Sequence, residues 1–180
     1  MSINRSSLPE ISAQTKATWQ RIRHDNSAGG VAYRRVTDKR DAHDSNSTHC
    51  IEVIEVALIA TRGGRRWQLP KGSREANETT LQTAIREVHE EVGLHTEKED
   101  FLKRIDYWYW DTYRKEVAEL VHKSVDFYLL RVVGGALSDT SYEVDAVGWF
   151  LLEDALKMLT FAGEREVLQM AQARLTAKNA

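Results

Sequence analysis

Three glutamates stand close together in the stretch "LQTAIREVHEEVGL", at positions 87, 90 and 91. On a helix, residues three or four apart are neighbours, so Glu87 would lie beside both Glu90 and Glu91. Like charges at this spacing destabilise a helix by roughly a few tenths of a kcal/mol per pair. Mg²⁺ takes oxygen ligands and commonly binds together with substrate phosphates, so it would turn this repulsion into coordination. The glutamates therefore predict a metal-dependent phosphate site.

A solvated helix face is the simpler interpretation of such a glutamate cluster, because charged side chains are common at protein surfaces. A solvated face is usually balanced by lysines and arginines. Between Gly72 and Leu94, however, Arg74 and Arg86 are the only ones. The preceding Pro70–Gly72 turn would also bring backbone oxygen towards the carboxylates. We therefore favour the metal site over the solvated face.

The segment that carries the glutamates has the periodicity of an amphipathic helix. Apolar residues recur at three- and four-residue spacing and predict one apolar face: Leu81, Ala84, Ile85, Val88 and Val92. Thr79 or Thr80 would cap the first turn. Gly93 would end the helix in the left-handed conformation. We expect all three glutamates to share the face that points away from the core.

The rest of the chain predicts a mixed α/β fold rather than a regular βαβ alternation. Strands are predicted over 27–36, 51–61, 65–69, 101–113, 121–133 and 146–152, and C-terminal helices over 152–159 and 165–175. The polar residues 37–50 predict an exposed loop or an irregular hairpin. We divide the chain into an N-terminal tail or helix (1–26) and one domain (27–180).

Composition narrows the class of protein. The 180 residues are 42% hydrophobic and 29% charged, as is typical of a folded soluble domain. A net charge of −2 argues against a DNA-binding surface, and the longest apolar run, "VALIA", is too short to span a bilayer. The single cysteine, Cys50, excludes an internal disulfide. We expect a cytoplasmic monomer or homodimer that binds neither DNA nor membrane.

Residues 72–94 match the Nudix box, G-x5-E-x7-R-E-U-x-E-E-x-G-U, in which U is an apolar residue. The nine specified positions hold Gly72, Glu78, Arg86, Glu87, Val88, Glu90, Glu91, Gly93 and Leu94. The stretches "SAGGVAYR", "WQLPKG" and "VDAVGWFLLEDAL" also resemble Nudix hydrolases. The resemblance implies the α/β fold of that family, an α/β/α sandwich with a mixed β-sheet between helices.

The resemblance also implies a metal site and a catalytic group. The metal would be Mg²⁺, or Mn²⁺ in its place. Its ligands would be Glu87, Glu90, Glu91, the backbone carbonyl of Lys71 and, from a later loop, Glu143, with Asp145 as the alternative. Catalysis would depend on Glu87 as the base, on Arg86 as the group that orients a glutamate, and on Glu91.

Other residues receive structural and substrate-binding roles by the same resemblance. Gly72, Glu78 and Gly93 would shape the loop and the ends of the helix. Lys71 and Lys123 would contact phosphate groups, and the ring of Tyr109 would contact a base.

The implied substrate is a nucleoside polyphosphate. The stretches "WQLPKG" and "TFAGEREVLQMAQ" resemble the diadenosine polyphosphate hydrolase branch, which implies asymmetric hydrolysis of diadenosine tetraphosphate. A nucleoside triphosphate, an RNA 5′-end or a diphosphoinositol polyphosphate is an alternative substrate. The alternative of another class is a non-catalytic Nudix ligand-binding module.

Overall fold

The computed structural model describes residues 5–39, 50–113 and 116–177. The strands are β1 (Ile22–Lys39), β2 (Cys50–Thr61), β3 (Arg66–Gln68), β4 (Lys71–Ser73), β5 (Leu94–Asp111), β6 (Glu119–Gly135) and β7 (Ala146–Leu151). The helices are α1 (Ala13–Thr18), α2 (Thr80–Val92), α3 (Leu152–Met158) and α4 (Ala162–Ala177), after a 3₁₀ turn at Arg5–Ser7. No helix in these ranges is long and apolar enough to cross a membrane.

The strands form one mixed sheet in the order β3-β2-β1-β6-β5, with β4 paired to β1 and β7 paired to β2. Strands β1 and β6 run parallel, whereas the other paired strands are antiparallel. Residues 27–29 of β1 pair with both β6 and β4. This double pairing holds the loop before α2 against the middle of the sheet.

Helices cover both faces of the sheet. On one face, Val31 and Phe127 pack with Val167 and Leu168 of α4. On the other face, Ala28 and Leu130 pack with Ala84 and Val88 of α2. The predicted α/β/α sandwich is therefore confirmed.

Several strands are longer than the sequence predicted. Strand β1 begins at Ile22, and its last residues, Thr37–Lys39, pair with Cys50–Glu52 as the two arms of a hairpin. Residues 40–49, the rest of the predicted loop, lie outside the described residues. Strand β5 begins at Leu94, whereas the sequence predicted a strand from residue 101. Its first part was not predicted because register shifts near His95, Lys98 and Phe101 break the alternating pattern that signals a strand.

The N-terminal residues pack against β5. Ser12 caps α1 by accepting a hydrogen bond from the Thr15 N–H. The ring of Trp19 lies edge-to-face on Trp110 at 4.6 Å, and the Trp110 indole N–H donates to the Pro9 carbonyl. The predicted division at residue 26 falls within β1, so residues 22–26 belong to the sheet. The division into two parts stays a prediction.

Candidate active site

Helix α2 has the predicted bounds. Thr79 is the N-cap, and its side chain accepts from the Gln82 N–H while the Gln82 side chain accepts from the Thr79 N–H. Gly93 ends the helix with φ 77°, in the left-handed region that favours glycine. Its apolar face lies on β1 and β6, which fixes the direction in which the glutamates point.

The three glutamates differ in exposure, which the prediction of a shared face away from the core did not specify. Glu87 and Glu91 are only 8% and 6% exposed, whereas the Glu90 side chain is 55% exposed. The difference arises because β4 and the loop before it pack over the helix side that carries Glu87 and Glu91. The carboxylates thus line a junction between the loop and the helix.

The loop approaches the helix closely at Gly72. A Cβ at this position would lie 2.0–2.2 Å from the Glu87 carboxyl group, so a side chain here would displace Glu87. One residue earlier, the Lys71 N–H donates to Glu91 Oε2 at 2.7 Å. Gly72 therefore leaves room for the Glu87 carboxyl group, and both buried glutamates contact the loop. The structural role of Gly72 stays a prediction.

Arg86 connects the loop and the helix through its guanidinium group. It donates to both oxygens of Glu78 at 2.8 and 2.9 Å and to the Ser73 carbonyl at 3.0 Å. Its Nη1 donates to Glu87 Oε1 at 2.8 Å and to Glu90 Oε2 at 2.9 Å. The predicted orienting role of Arg86 requires these contacts. The role itself stays a prediction.

Glu78 holds the start of the loop in place. Hydrogen bonds from Arg86, and then from the Thr83 hydroxyl and the Glu75 N–H, lower the pKa of Glu78 to about 2. Glu78 therefore stays ionised far into the acid range. These contacts suit the structural role predicted for Glu78, and the role itself stays a prediction.

Burial acts on the other two glutamates in the opposite direction. Burial, together with the charges of Glu87 and Glu143, raises the pKa of Glu91 to about 8, although the hydrogen bond from the Lys71 N–H opposes this shift. Burial also raises the pKa of Glu87, while Arg86 opposes the shift. Strongly shifted carboxyls in one cleft are typical of functional sites. A bound cation would lower the free-energy cost of ionising both groups.

The oxygen donors of this junction suit a hard divalent cation. They are the carboxylates of Glu87, Glu90 and Glu91 and the nearby backbone of Lys71. Within the described residues, no three His, Cys, Asp or Glu side chains already converge as a metal shell. The cationic partner of Glu87 and Glu90 is instead Arg86. These donors therefore fit the cation chemically, and the ligand assignment stays a prediction.

The two candidates for a ligand from the later loop have different surroundings. Glu143 is exposed, and its charge acts on both Glu87 and Glu91. Asp145 instead accepts a hydrogen bond from the Gly63 N–H at 2.7 Å and so supports the turn between β2 and β3. This difference favours Glu143 over Asp145.

A cavity of about 630 Å³ opens beside the junction. Among its lining residues are Lys71, Lys123, Tyr107 and Tyr109, and the two tyrosine rings lie 6.1 Å apart. Burial lowers the pKa of Lys123, and repulsion from Lys71 adds to this effect. The three predicted substrate-binding residues, Lys71, Tyr109 and Lys123, thus all line the cavity, together with a second tyrosine, Tyr107.

Glu164 is a residue of this site that the sequence analysis did not identify. It is 2% exposed, accepts from the Leu69 N–H at 2.8 Å and pairs with Lys71 Nζ at 3.0 Å. Lys71 Nζ also donates to Gln68 Oε1 at 2.9 Å, so this predicted phosphate contact already has two protein partners. A signal did exist, since Glu164 occupies the helix face of Val167, Leu168, Ala171 and Leu175.

Replacing Glu164 by glutamine should destabilise the protein by about 3 kcal/mol, because it leaves a buried lysine without its charged partner. Urea unfolding followed by circular dichroism measures the change. Glu166→Gln is the matched control, since Glu166 lies on the same helix but is 57% exposed and pairs with Lys103 at the surface. Equal effects of the two substitutions would contradict a structural role for the Glu164–Lys71 pair.

The chain is similar to proteins of one known family. The NUDIX domain model matches residues 52–170. MutT4 of Mycobacterium tuberculosis (strain CDC 1551 / Oshkosh), named as a mutator protein, is 38% identical over 86% of this chain and 57% of its own length. The 8-oxo-(d)GTP phosphatase of Mycolicibacterium smegmatis is 28% identical over 86% of this chain and 44% of its own. The chain thus spans about half the length of these two relatives.

Dinucleoside tetraphosphatases are also similar. The asymmetrical bis(5'-nucleosyl)-tetraphosphatase of Sus scrofa is 32% identical over 64% of this chain and 77% of its own length. The binary complex of the C. elegans Ap4A hydrolase superposes with a TM-score of 0.60 at 26% identity, covering 85% of this chain and 98% of that one. The resemblance read from the sequence is confirmed, and the chain belongs to the Nudix hydrolase family.

Proposed function

We propose that this chain is a divalent-metal-dependent pyrophosphohydrolase that cleaves a P–O–P bridge of a nucleoside polyphosphate. The observation that carries the proposal is that Lys71 lies between the buried glutamates of α2 and the 630 Å³ cavity. Lys71 belongs to both, since its N–H contacts Glu91 and its side chain lines the cavity. A polyphosphate in the cavity would therefore reach the carboxylates.

The residues of the junction divide the work of hydrolysis. Glu87 acts as the base, and its raised pKa brings it nearer to neutral pH, where a general base works best. Arg86 holds Glu87 and Glu90 in position. A bound Mg²⁺ or Mn²⁺ would neutralise phosphate charge and acidify a water molecule. Phosphoryl transfer depends mostly on positioning and electrostatics, and these groups supply both.

The substrate we favour is diadenosine tetraphosphate, cleaved asymmetrically. The cavity offers aromatic rings for bases, those of Tyr107, Tyr109 and Phe161, and cationic side chains for phosphates, those of Arg66, Lys71 and Lys123. Similarity to the asymmetrical tetraphosphatase of pig and to the Ap4A hydrolase of C. elegans supports this choice. RNA 5′-ends and diphosphoinositol polyphosphates have no comparable support among these relatives.

A nucleoside triphosphate is the second candidate substrate. The observation in its favour is the higher identity to MutT4, together with the similarity to the 8-oxo-(d)GTP phosphatase. One base and three phosphates would fill less of the cavity than a dinucleotide does. The specificity ratio, kcat/KM for diadenosine tetraphosphate against 8-oxo-dGTP and ATP, distinguishes the two candidates.

Tyr109→Ala should raise the KM for diadenosine tetraphosphate about ten-fold or more with little change in kcat, because stacking on an aromatic ring contributes about 1–3 kcal/mol per base. Steady-state kinetics measure the effect. Tyr113→Ala is the control, since Tyr113 is 72% exposed and does not line the cavity. An unchanged KM in Tyr109→Ala, and equally in Tyr107→Ala, would place the bases elsewhere.

A further inference from the structure

Two histidines face each other on the sheet surface opposite the cavity. His24 of β1 and His122 of β6 are direct partners in the parallel pairing of these strands. Successive residues of a strand point to opposite faces, and Lys123 lines the cavity, so the ring of His122 points to the other face of the sheet. Asp106, which lies beside His122, belongs to the cavity lining as well. The proposed hydrolase reaction uses neither histidine.

The distance between the Nδ1 atoms of the two rings matches that between two ligands of a tetrahedral metal ion. Their Nδ1 atoms are 3.3 Å apart. Two nitrogens bound to zinc at about 2.0–2.1 Å with a tetrahedral angle are separated by about 3.3–3.4 Å. The same distance also allows a hydrogen bond between the two ring nitrogens, with the donor set by the tautomers of the rings. The rings are therefore placed to chelate one ion.

A carboxylate stands behind one of the rings. His122 Nε2 lies 3.2 Å from Asp106 Oδ1, and the Ser124 hydroxyl donates to the same oxygen at 2.6 Å. With the imidazole neutral, Asp106 favours the tautomer with its proton on Nε2, which leaves a lone pair on Nδ1. A carboxylate behind a histidine in this way typically orients metal ligands.

An aromatic ring, that of Trp108, packs against the histidine pair. The Trp108 ring stacks on His122 at 4.5 Å with an interplanar angle of 12°. Lys16 of α1 lies over the Trp108 ring, with its Nζ 5.2 Å from the centre of the ring. The site thus lies where the N-terminal helix meets the sheet.

We propose that His24 and His122 form a second metal site, which binds a borderline transition ion of the Zn²⁺ class through both Nδ1 atoms, with Asp106 as the orienting carboxylate. Water completes the coordination, since the pair supplies two protein ligands. Imidazole suits zinc, copper and nickel, whereas Mg²⁺ prefers oxygen. The two metal sites of the chain therefore select different ions, and this one links the paired strands β1 and β6.

The test is a titration of Zn²⁺ into the full chain in excess Mg²⁺, so that the carboxylate site is occupied. NMR follows the imidazole protons, and calorimetry gives the stoichiometry. We expect saturable shifts of the His24 and His122 resonances at one Zn²⁺ per chain, with His89 and His95 unmoved. His24→Ala and His122→Ala should each abolish the binding heat, and Asp106→Asn should weaken the affinity about ten-fold or more.

His95→Ala is the matched control, because His95 is also an exposed strand histidine stacked on a second imidazole, that of His89. Binding that persists in both His24→Ala and His122→Ala would overturn the proposal, as would equal loss in His95→Ala. The wild-type NMR shifts need no variant. Their absence at saturating Zn²⁺ would also overturn it.

Discussion

Replacing Glu90 by glutamine is expected to lower kcat by about 10²–10³-fold and to leave the fold intact. The substitution keeps the size of the side chain but removes a charge from the proposed cation site. Metal-assisted charge stabilisation contributes several kcal/mol to a transition state, and each 1.36 kcal/mol corresponds to a factor of about ten in rate. Circular dichroism and steady-state kinetics in Mg²⁺ test both parts of the prediction.

The exposure of Glu90 makes this a cleaner test than the buried glutamates. Glu90 contacts Arg86, which retains its hydrogen bonds to Glu78, Glu87 and Ser73 in the variant. Glu166→Gln is again a suitable control, because Glu166 is a helix-surface glutamate of 57% exposure against 55% for Glu90. Near-wild-type turnover of Glu90→Gln in Mg²⁺ would remove Glu90 from the site.

The metal-free protein is expected to lose stability as the pH rises from about 5 to about 8. Glu91 has a pKa of about 8 in the folded state against 4.5 as its ordinary value, so between these values the folded state holds more protons than the unfolded state. Stability falls with rising pH wherever the folded state binds more protons. The raised pKa of Glu87 acts in the same direction. The lowered pKa of Glu78 acts oppositely, but only below its ordinary value.

Glu91→Gln isolates this effect, since glutamine does not ionise and its side-chain oxygen can still accept from the Lys71 N–H. In EDTA at pH 8–9 the variant should be more stable than the wild type, with a free energy of unfolding that is higher by on the order of a few kcal/mol. Near pH 5 the difference should largely disappear. Urea unfolding across this pH range measures both values.

Added Mg²⁺ provides the second half of the test. It should stabilise the wild type increasingly as the pH rises, because the ion binds the ionised carboxylates of the folded state. Glu91→Gln should gain much less. A wild type whose stability in EDTA is flat from pH 5 to 8, or rises, would contradict the raised pKa assigned to the buried Glu91.

The helix of the glutamates was largely predictable because all its signals are local. Thr79, Gly93 and the apolar period lie within one segment, and the observed bounds follow them. Exposure of the glutamates was not predictable in this way. The burial of Glu87 and Glu91 depends on strand β4, whose three residues, Lys71–Ser73, carry no strand pattern and pair with β1 across a long sequence separation.

The cavity shows the same limit. Tyr109 and Lys123 were chosen from the sequence, and their place beside Lys71 depends on the pairing of β5 with β6. Glu164 was missed because a glutamate on an apolar helix face gives no indication of its partner. Its partners, Leu69 and Lys71, lie about a hundred residues earlier and are brought to it only by the packing of α4 against the sheet.

The products of diadenosine tetraphosphate incubated with the wild-type chain test the central claim most directly. We predict ATP and AMP in equal amounts, formed with Mg²⁺ and not in EDTA, with one oxygen from ¹⁸O-labelled water in each product pair. Two molecules of ADP would contradict asymmetric cleavage. An intact dinucleotide, together with intact 8-oxo-dGTP and ATP, would contradict the hydrolase activity and leave a ligand-binding Nudix domain.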